Sequence, residues 1–179
     1  MVRMTKCLVI DASIARSCGD ENAIYPTSVR CRDFLMAVQE YQHKIVMTKE
    51  IKTEWDKHQS RFARQWLRQM IARKHLNPLP DLPIDSELWT PIEAMAQSDS
   101  ERSAMTKDIL LLEAALASDR SIASLDENTA RKYFTQAAKS IPKLQSIIWV
   151  NPDKPEEAAI DWLRAGAPAE SQRMLGNAS

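Results

Sequence analysis

Four segments of strand length recur along this chain, and the stretches between them have the spacing of helices. These segments are Cys7–Ile10, Lys44–Met47, Ser121–Leu125 and Ile147–Val150. The first is apolar throughout, without alternation, which is typical of a strand that is covered on both faces. Strands that alternate with helices form parallel sheets with helices packed on them. The sequence therefore predicts an α/β protein, a three-layer α/β/α sandwich with a central parallel sheet.

The length of 179 residues is that of one domain. We expect a single domain over residues 1–165, with a helical and proline-rich excursion at about 57–103 and a flexible tail at 166–179. Four prolines between residues 78 and 91 exclude a regular helix throughout that part of the excursion. We also expect Thr27 to cap the helix that follows the first strand. Asp108 is expected to lie at the start of an apolar helix that ends at Leu116.

Composition excludes several classes of protein. Lys and Arg number 24 and so do Asp and Glu, which excludes a uniformly basic nucleic-acid coat but leaves room for a local basic patch. No run of 18 apolar residues is present, so we expect no membrane span. The 3 cysteines form no CxxC pair, which indicates reduced thiols and a cytoplasmic protein. The glycine-rich phosphate loops GxGxxG and GxxxxGK[ST] are absent.

Acidic residues follow the predicted strands or begin the neighbouring helices. Asp11 follows the first strand, Glu54 lies in the helix after the second, Asp108 opens the apolar helix, and Asp126 follows the third strand. Ligands of such sheets bind beyond the carboxyl ends of the strands, so these four side chains should converge. Each could instead be a helix cap or an ordinary first-turn acid. Together they would repel one another unless a cation lay among them, and carboxylate oxygens suit Mg²⁺ or Mn²⁺. Such a site is typical of phosphoryl transfer.

Four segments in this order resemble the PIN-domain nucleases, a family that includes the VapC-like ribonuclease toxins. They are Leu8–Ser13 with Asp11 at its centre, Met47–Glu54, Lys107–Ala115 and Ser124–Asn128. The similarity extends over about residues 6–150, and it depends on the four segments in order rather than on one motif. Two features depart from the family pattern. Its last acidic position is occupied here by Asn128, or by Glu127, and the chain is longer through Arg61 to Glu101.

The resemblance implies a PIN-like fold and an endoribonuclease that depends on Mg²⁺ or Mn²⁺. It assigns catalysis and metal binding to Asp11, Glu54, Asp108 and Asp126. It also implies that Ser13, Ser124 and Asn128 support a ligand or a water molecule. The substrate would be RNA and, if the protein is a toxin, an antitoxin protein would be its partner.

A basic arm follows Glu54 in the sequence and is a candidate RNA-binding surface. Its residues are Lys57, Arg61, Arg64 and Arg68. Trp55, Phe62 and Trp66 could stack bases, although aromatic residues at this spacing more often lie in a core. The arginines could instead be solvated or paired with the acidic loop that follows. The apolar stripe of the same helix could form a homodimer interface.

Two alternatives to a nuclease remain open at this stage. One is a PIN-like module that binds RNA or protein and has weak or no catalysis, which Asn128 and the extra arm favour. The other is a phosphatase with Asp11 as nucleophile. It is the weaker of the two, because Ser13 stands where such enzymes carry a second aspartate.

Overall fold

The structure, a computed structural model, describes residues 4–177 and contains a five-stranded sheet in which every strand pair is parallel. The strands are β1 (Cys7–Ile10), β2 (Lys44–Met47), β3 (Leu76–Pro78), β4 (Ser121–Ala123) and β5 (Ile148–Val150). Their order in the sheet is β3-β2-β1-β4-β5. The predicted α/β class with a central parallel sheet is thereby confirmed.

Eight α-helices connect and flank these strands in the described part of the chain. They are α1 (Ala12–Ser17), α2 (Pro26–Glu40), α3 (Lys49–His58), α4 (Arg61–Ala72), α5 (Ser86–Ala94), α6 (Asp99–Leu116), α7 (Lys132–Ala138) and α8 (Ala159–Arg164). Within residues 4–177, none of these helices has the length and apolar character to cross a bilayer. The three cysteines carry free thiols.

The central strand β1 is enclosed from both faces of the sheet. Leu8, Val9 and Ile10 are all buried, which explains why this segment is apolar without alternation. Trp55 of α3 and Trp66 of α4 stack on each other in the core with ring centroids 6.0 Å apart. Each indole nitrogen donates a hydrogen bond to a buried backbone carbonyl, from Trp55 to Ile10 and from Trp66 to Leu35. These bonds satisfy the polar atoms of two large side chains in an apolar region.

The proline-rich segment contributes more regular structure than its sequence predicted. Leu76–Pro78 forms the edge strand β3, which pairs with β2 and brings Met47 opposite Pro78. Proline is tolerated there because the outer side of an edge strand needs no backbone N–H donor. Farther on, Pro91 lies inside helix α5. The excursion at 57–103 therefore contains α4, β3 and α5 and adds a strand to the sheet.

Two predicted helix starts are wrong. Helix α2 begins at Pro26 with Tyr25 as its cap, and the hydroxyl of Thr27 donates to Asp153 at 2.9 Å instead of capping the helix. Helix α6 begins at Asp99, nine residues before Asp108. Asp108 is therefore a mid-helix residue, and the alternative that it is an N-cap is excluded.

The C-terminal segment, expected to be a flexible tail, packs against the sheet as far as the structure describes it. Met174 forms an antiparallel bridge with Ile148, and the side chain of Leu175 is buried. The backbone N–H of Leu175 donates to the carbonyl of Ile147 at 2.9 Å. Residues 166–177 thus cover the β5 edge of the sheet, and residues 178 and 179 lie outside the described range.

Candidate active site

Asp11 and Asp126 lie where the strand order of the sheet reverses. The chain runs outward from β1 through β2 to β3, then returns to place β4 on the other side of β1. In sheets of this kind the crevice at such a reversal is the usual ligand site. Asp11 directly follows β1, and its backbone N–H donates to the carbonyl of Ala123 in β4 at 2.9 Å. Asp126 follows β4 three residues later.

Two serines hold the Asp11 carboxylate between these strand ends. Its Oδ2 atom accepts hydrogen bonds from Ser124 Oγ at 2.7 Å and from Ser13 Oγ at 2.8 Å. Each serine oxygen in turn accepts from the β4 loop, Ser13 from Leu125 N at 3.2 Å and Ser124 from Asp126 N at 3.1 Å. The carboxylate is therefore oriented by donors that are themselves fixed, as a preorganised site requires.

Asp108 is the acidic residue with the least compensation. Among residues 4–177 its carboxyl group has no hydrogen-bond donor and no ion-pair partner, although the residue lies in the middle of α6. Burial, followed by the charges of Asp11 and Asp126, raises the pKa of Asp108 to about 8. Burial also raises the pKa of Asp11, against the hydrogen bonds from Ser124 and Ser13. The charges of Asp11 and Asp126 therefore both act against the ionisation of Asp108.

Asp126 contributes one carboxylate oxygen to the protein backbone. Oδ1 accepts from Thr129 N at 2.9 Å and from Ala130 N at 3.1 Å, at the start of the π-helical turn Glu127–Arg131. Within residues 4–177, Oδ2 has no hydrogen-bond donor. Asp126 thus caps this turn and also lies close enough to Asp108 for its charge to act there. The interpretation as a helix cap and the interpretation as a site residue therefore do not exclude each other.

Glu54 differs from the other three acids because cations surround it. Its carboxylate pairs with Lys57 at 3.3 Å, with His58 at 3.6 Å and with Lys107 at 3.6 Å. Partial burial raises the pKa of Glu54, but the hydrogen bond from Lys57 and the positive charges around it outweigh that effect and lower the pKa. The structure therefore places Glu54 opposite Asp108 with its charge already balanced.

A cavity of about 310 Å³ lies between α3 and α6 and opens beside Asp11. Asp11, Glu54 and Asp108 all line it, whereas Asp126 does not. The remaining lining residues are Ala12, Lys49, Glu50, Ile51, Thr53, Lys107, Leu110 and Leu111. The cavity therefore combines four acidic side chains, two lysines and an apolar wall.

The donor set fits a hard divalent cation held by few protein ligands. Among residues 4–177 no group of three His, Cys, Asp or Glu side chains is close enough to bind one ion. Mg²⁺ is commonly held by one or two carboxylates, with water and substrate phosphate completing its shell. Asp11 and Asp108 supply such a pair, and a cation between them would relieve the repulsion that raises the pKa of Asp108.

The last acidic position of the family pattern is not replaced by a neighbouring acid. Glu127 pairs with Arg131 at 2.7 Å and accepts from Asn151 at 3.0 Å, and Lys154 lies 3.6 Å away. Burial raises the pKa of Glu127, but these partners outweigh it and lower the pKa. Asn128 is exposed and makes no contact with Asp11. Neither residue adds a ligand to the acidic group.

The basic arm is only partly open, because Lys57 pairs with Glu54 at 3.3 Å whereas the three arginines have no carboxylate partner within residues 4–177. The structure describes no carboxylate paired with Arg61, Arg64 or Arg68, while Asp85 of the acidic loop pairs with Lys143 instead. Pairing of the arginine face with that loop is therefore excluded. Arg64 and Arg68 line a second groove, between α3 and α4, with Lys52, Asp56, Gln59, Leu67 and Ile71.

The aromatic and apolar residues of the arm belong to the protein interior. Trp55 and Trp66 are buried, which excludes base stacking by the two tryptophans. Phe62 is partly buried and packs against the core. The apolar stripe of α4 likewise packs against the rest of the chain. Met70 is buried, and Ile71 is the one residue of the stripe that is half exposed among the described residues. The stripe offers little surface for a second copy.

Reasoning from the sequence did not identify the cavity wall. In the sequence, Lys107, Leu110 and Leu111 fall in the segment Lys107–Ala115, and Lys49 and Ile51 fall in the segment Met47–Glu54, where none of them is expected to line a cavity. One pattern could have located them: Leu110 and Leu111 lie three and four residues after Lys107, and Leu111 lies three after Asp108, so these side chains occupy neighbouring parts of one helix face. The sequence alone does not show that α3 packs opposite this helix, so the cavity between the two helices could not be predicted.

No family model, curated protein or solved structure matches this chain.

Proposed function

We propose that this protein is a PIN-like endoribonuclease that hydrolyses RNA phosphodiester bonds and depends on Mg²⁺ or Mn²⁺. The observation that carries the proposal is the placement of Asp108. An uncompensated carboxyl group in mid-helix, beside Asp11 in one cavity, is costly unless a cation binds there. The site lies at the reversal point of the sheet, where ligands of such folds bind.

The protein side of the mechanism follows from the contacts around the cavity. Ser13 and Ser124 fix the direction of the Asp11 carboxylate, and α6 presents Asp108 across from it. A divalent cation bound by these carboxylates would polarise the scissile phosphate and lower the pKa of an attacking water. Lys107 and Lys49 lie at the same cavity, where their charges would draw the anionic backbone towards the carboxylates.

Two roles proposed for acidic residues follow from their different surroundings. Asp11 and Asp108 are the proposed cation ligands, with Asp126 close enough to add charge. Glu54 could join them once Lys107, now 3.6 Å from its carboxylate, turned to a phosphate. If the activity serves as a toxin, an antitoxin protein would have to cover the cavity mouth, where the side chain of Lys107 is exposed.

A binding module without catalysis is the second candidate function. Two observations favour it: Glu54 is neutralised by three basic side chains, and no three ligands converge within the described residues. On this proposal the open arginines Arg64 and Arg68 would hold RNA, and the acidic group would have no chemical role.

A cleavage assay separates the two functions. Purified protein is incubated with a mixed RNA pool in Mn²⁺, Mg²⁺ or EDTA, alongside Asp108→Asn and the matched control Asp99→Asn. Asp99 lies on the same helix but is fully exposed. The nuclease predicts cleavage that requires metal, is lost in Asp108→Asn and persists in Asp99→Asn. Salt-sensitive RNA binding without cleavage in either metal would instead establish the binding module.

A further inference from the structure

The cavity between α3 and α6 has an apolar wall that a metal site does not need. Ile51 of α3 and Leu111 of α6 are buried side chains that line it, and Leu110 extends the same wall. Apolar side chains contribute nothing to the coordination of a hard cation, whose ligands are oxygens. They do contribute to the binding of a flat organic group that leaves water. The wall therefore indicates a ligand larger than an ion.

Two lysines also line this cavity. Lys107 reaches from α6 to within 3.6 Å of Glu54 on α3, and its side chain is 59% exposed. Lys49 lines the same cavity and has no ion pair or hydrogen bond from its ammonium group among residues 4–177. Two ammonium groups at the rim of an apolar cavity match a ligand with one anionic group and one apolar face.

The size of the cavity restricts that ligand further. A volume of about 310 Å³ is at the lower end of small-molecule sites. It excludes a base pair or a duplex and accommodates one unstacked base with its sugar. Recognition of RNA commonly uses bases that have left the stack and enter a pocket of this kind.

We propose that this cavity binds one unpaired ribonucleotide of the substrate. Its base packs on Ile51, Leu110 and Leu111, and its phosphate faces Lys49 and Lys107. The bound nucleotide then lies beside Asp11 and Asp108, so the cavity determines which phosphodiester is presented to them. The nucleotide's role as substrate depends on the proposed nuclease function, whereas its binding does not.

Titration with single nucleotides tests the binding. AMP, GMP, CMP, UMP and dAMP are added separately to the wild-type protein in EDTA, and binding is followed by NMR chemical-shift changes. The variants are Lys107→Gln and Leu110→Ala. Their matched controls are Lys139→Gln, an exposed lysine outside the cavity, and Leu116→Ala, a partly buried leucine of the same helix.

We expect Lys107→Gln to weaken nucleotide affinity about tenfold, because a charge-assisted contact to phosphate is lost. Leu110→Ala should weaken it about fivefold through lost apolar contact. Both controls should change affinity less than about twofold. Leu110→Phe narrows the cavity, and it should weaken AMP and GMP more than CMP and UMP. Equal binding of dAMP and AMP would assign the site to nucleotides in general instead of ribonucleotides and would overturn that part of the proposal.

The outcomes distinguish this inference from the proposed function. The cavity is overturned as a nucleotide site, even if RNA is cleaved, by either of two results. One is no binding of any nucleotide at millimolar concentration. The other is binding that Lys107→Gln, Leu110→Ala and Leu110→Phe all leave unchanged. Nucleotide binding with the expected losses, in a protein that cleaves no RNA under any metal, overturns the nuclease and leaves the cavity assigned.

Discussion

Replacement of Asp108 by asparagine should stabilise the metal-free protein at alkaline pH. Burial and the charges of Asp11 and Asp126 raise the pKa of Asp108 to about 8, from an ordinary value of 3.8. The folded protein therefore holds this proton more tightly than the unfolded chain. Between these two pH values unfolding releases a proton, so the free energy of unfolding falls as pH rises from about 4 to about 8. Asparagine is neutral throughout and removes this dependence.

The size of the effect follows from the pKa interval. An interval from 3.8 to about 8 corresponds to about 6 kcal/mol, since each pKa unit is worth ~1.4 kcal/mol. Asp108 retains partial contact with solvent, and its surroundings relax when it ionises. We therefore expect about half of this value, ~3 kcal/mol, as the gain of Asp108→Asn at pH 9. At pH 4 the two proteins should differ by less than about 1 kcal/mol.

Urea unfolding in EDTA at pH 5, 7 and 9 measures this gain. Asp99→Asn is the control, because Asp99 is an exposed acid of the same helix. We expect the wild type and the control to lose stability together as pH rises, while Asp108→Asn stays nearly level. Parallel loss of stability in all three proteins would mean that Asp108 ionises normally in the fold, which would refute the argument from its surroundings.

Addition of Mn²⁺ at pH 8 should remove most of the difference in stability between the wild type and Asp108→Asn. A ligand that binds the native state at 100 times its Kd stabilises it by about 2.7 kcal/mol. The wild type should gain this stability, and Asp108→Asn should gain little because one of the two proposed ligands is lost. An equal gain in both proteins would place the cation elsewhere.

Three further substitutions test other parts of the structure. Ser124→Ala removes a 2.7 Å hydrogen bond to Asp11. The free energy of unfolding, measured in urea at pH 7, should fall by about 1–2 kcal/mol, and RNA cleavage should slow. An unchanged cleavage rate would contradict the orienting role. Trp55→Phe keeps an aromatic ring but is smaller, and it leaves the carbonyl of Ile10 without its donor. The same assay should therefore show a loss of about 1–3 kcal/mol, with the RNA affinity of the folded protein unchanged. The double substitution Arg64→Gln/Arg68→Gln should reduce the slope of log affinity for RNA against log salt by about 1–2. An unaltered slope in a filter-binding series would remove these arginines from the interface.

The strands that could be predicted from the sequence are those whose own residues carry the signal. β1 and β2 are apolar because both of their faces are covered, and their predicted bounds agree with the structure. β3 was not predicted, because Leu76–Pro78 is short and contains a polar residue and a proline. Its position at the edge of the sheet, set by pairing with β2, makes that composition acceptable.

The start of α6 is determined by a capping arrangement and not by the spacing of apolar residues. Residues 99–103 are polar, and with Ala104 they are mostly exposed, so the apolar pattern begins only at Met105 and predicts a late start. The helix is nevertheless fixed at Ser98, whose hydroxyl accepts from Glu101 N at 3.1 Å. The Glu101 carboxylate accepts from Gln97 N at 2.7 Å. This Ser-x-x-Glu arrangement is close to a capping box, and it predicts a helix that contains Asp108 in its middle.

The acidic residues of the site look alike in the sequence and differ in the structure for reasons that lie far along the chain. Asp11 is oriented by Ser124, 113 residues away, and Glu54 is balanced in part by Lys107, which comes from another helix. Asp108 lies next to Lys107 in sequence, yet that lysine extends to Glu54. The same ammonium group lowers the pKa of both acids, but at Asp108 burial and the charges of Asp11 and Asp126 outweigh it and raise the pKa. We therefore expect the proposed cation to bind at Asp108 and Asp11 and not at Glu54, which is the end of the cavity nearest β1.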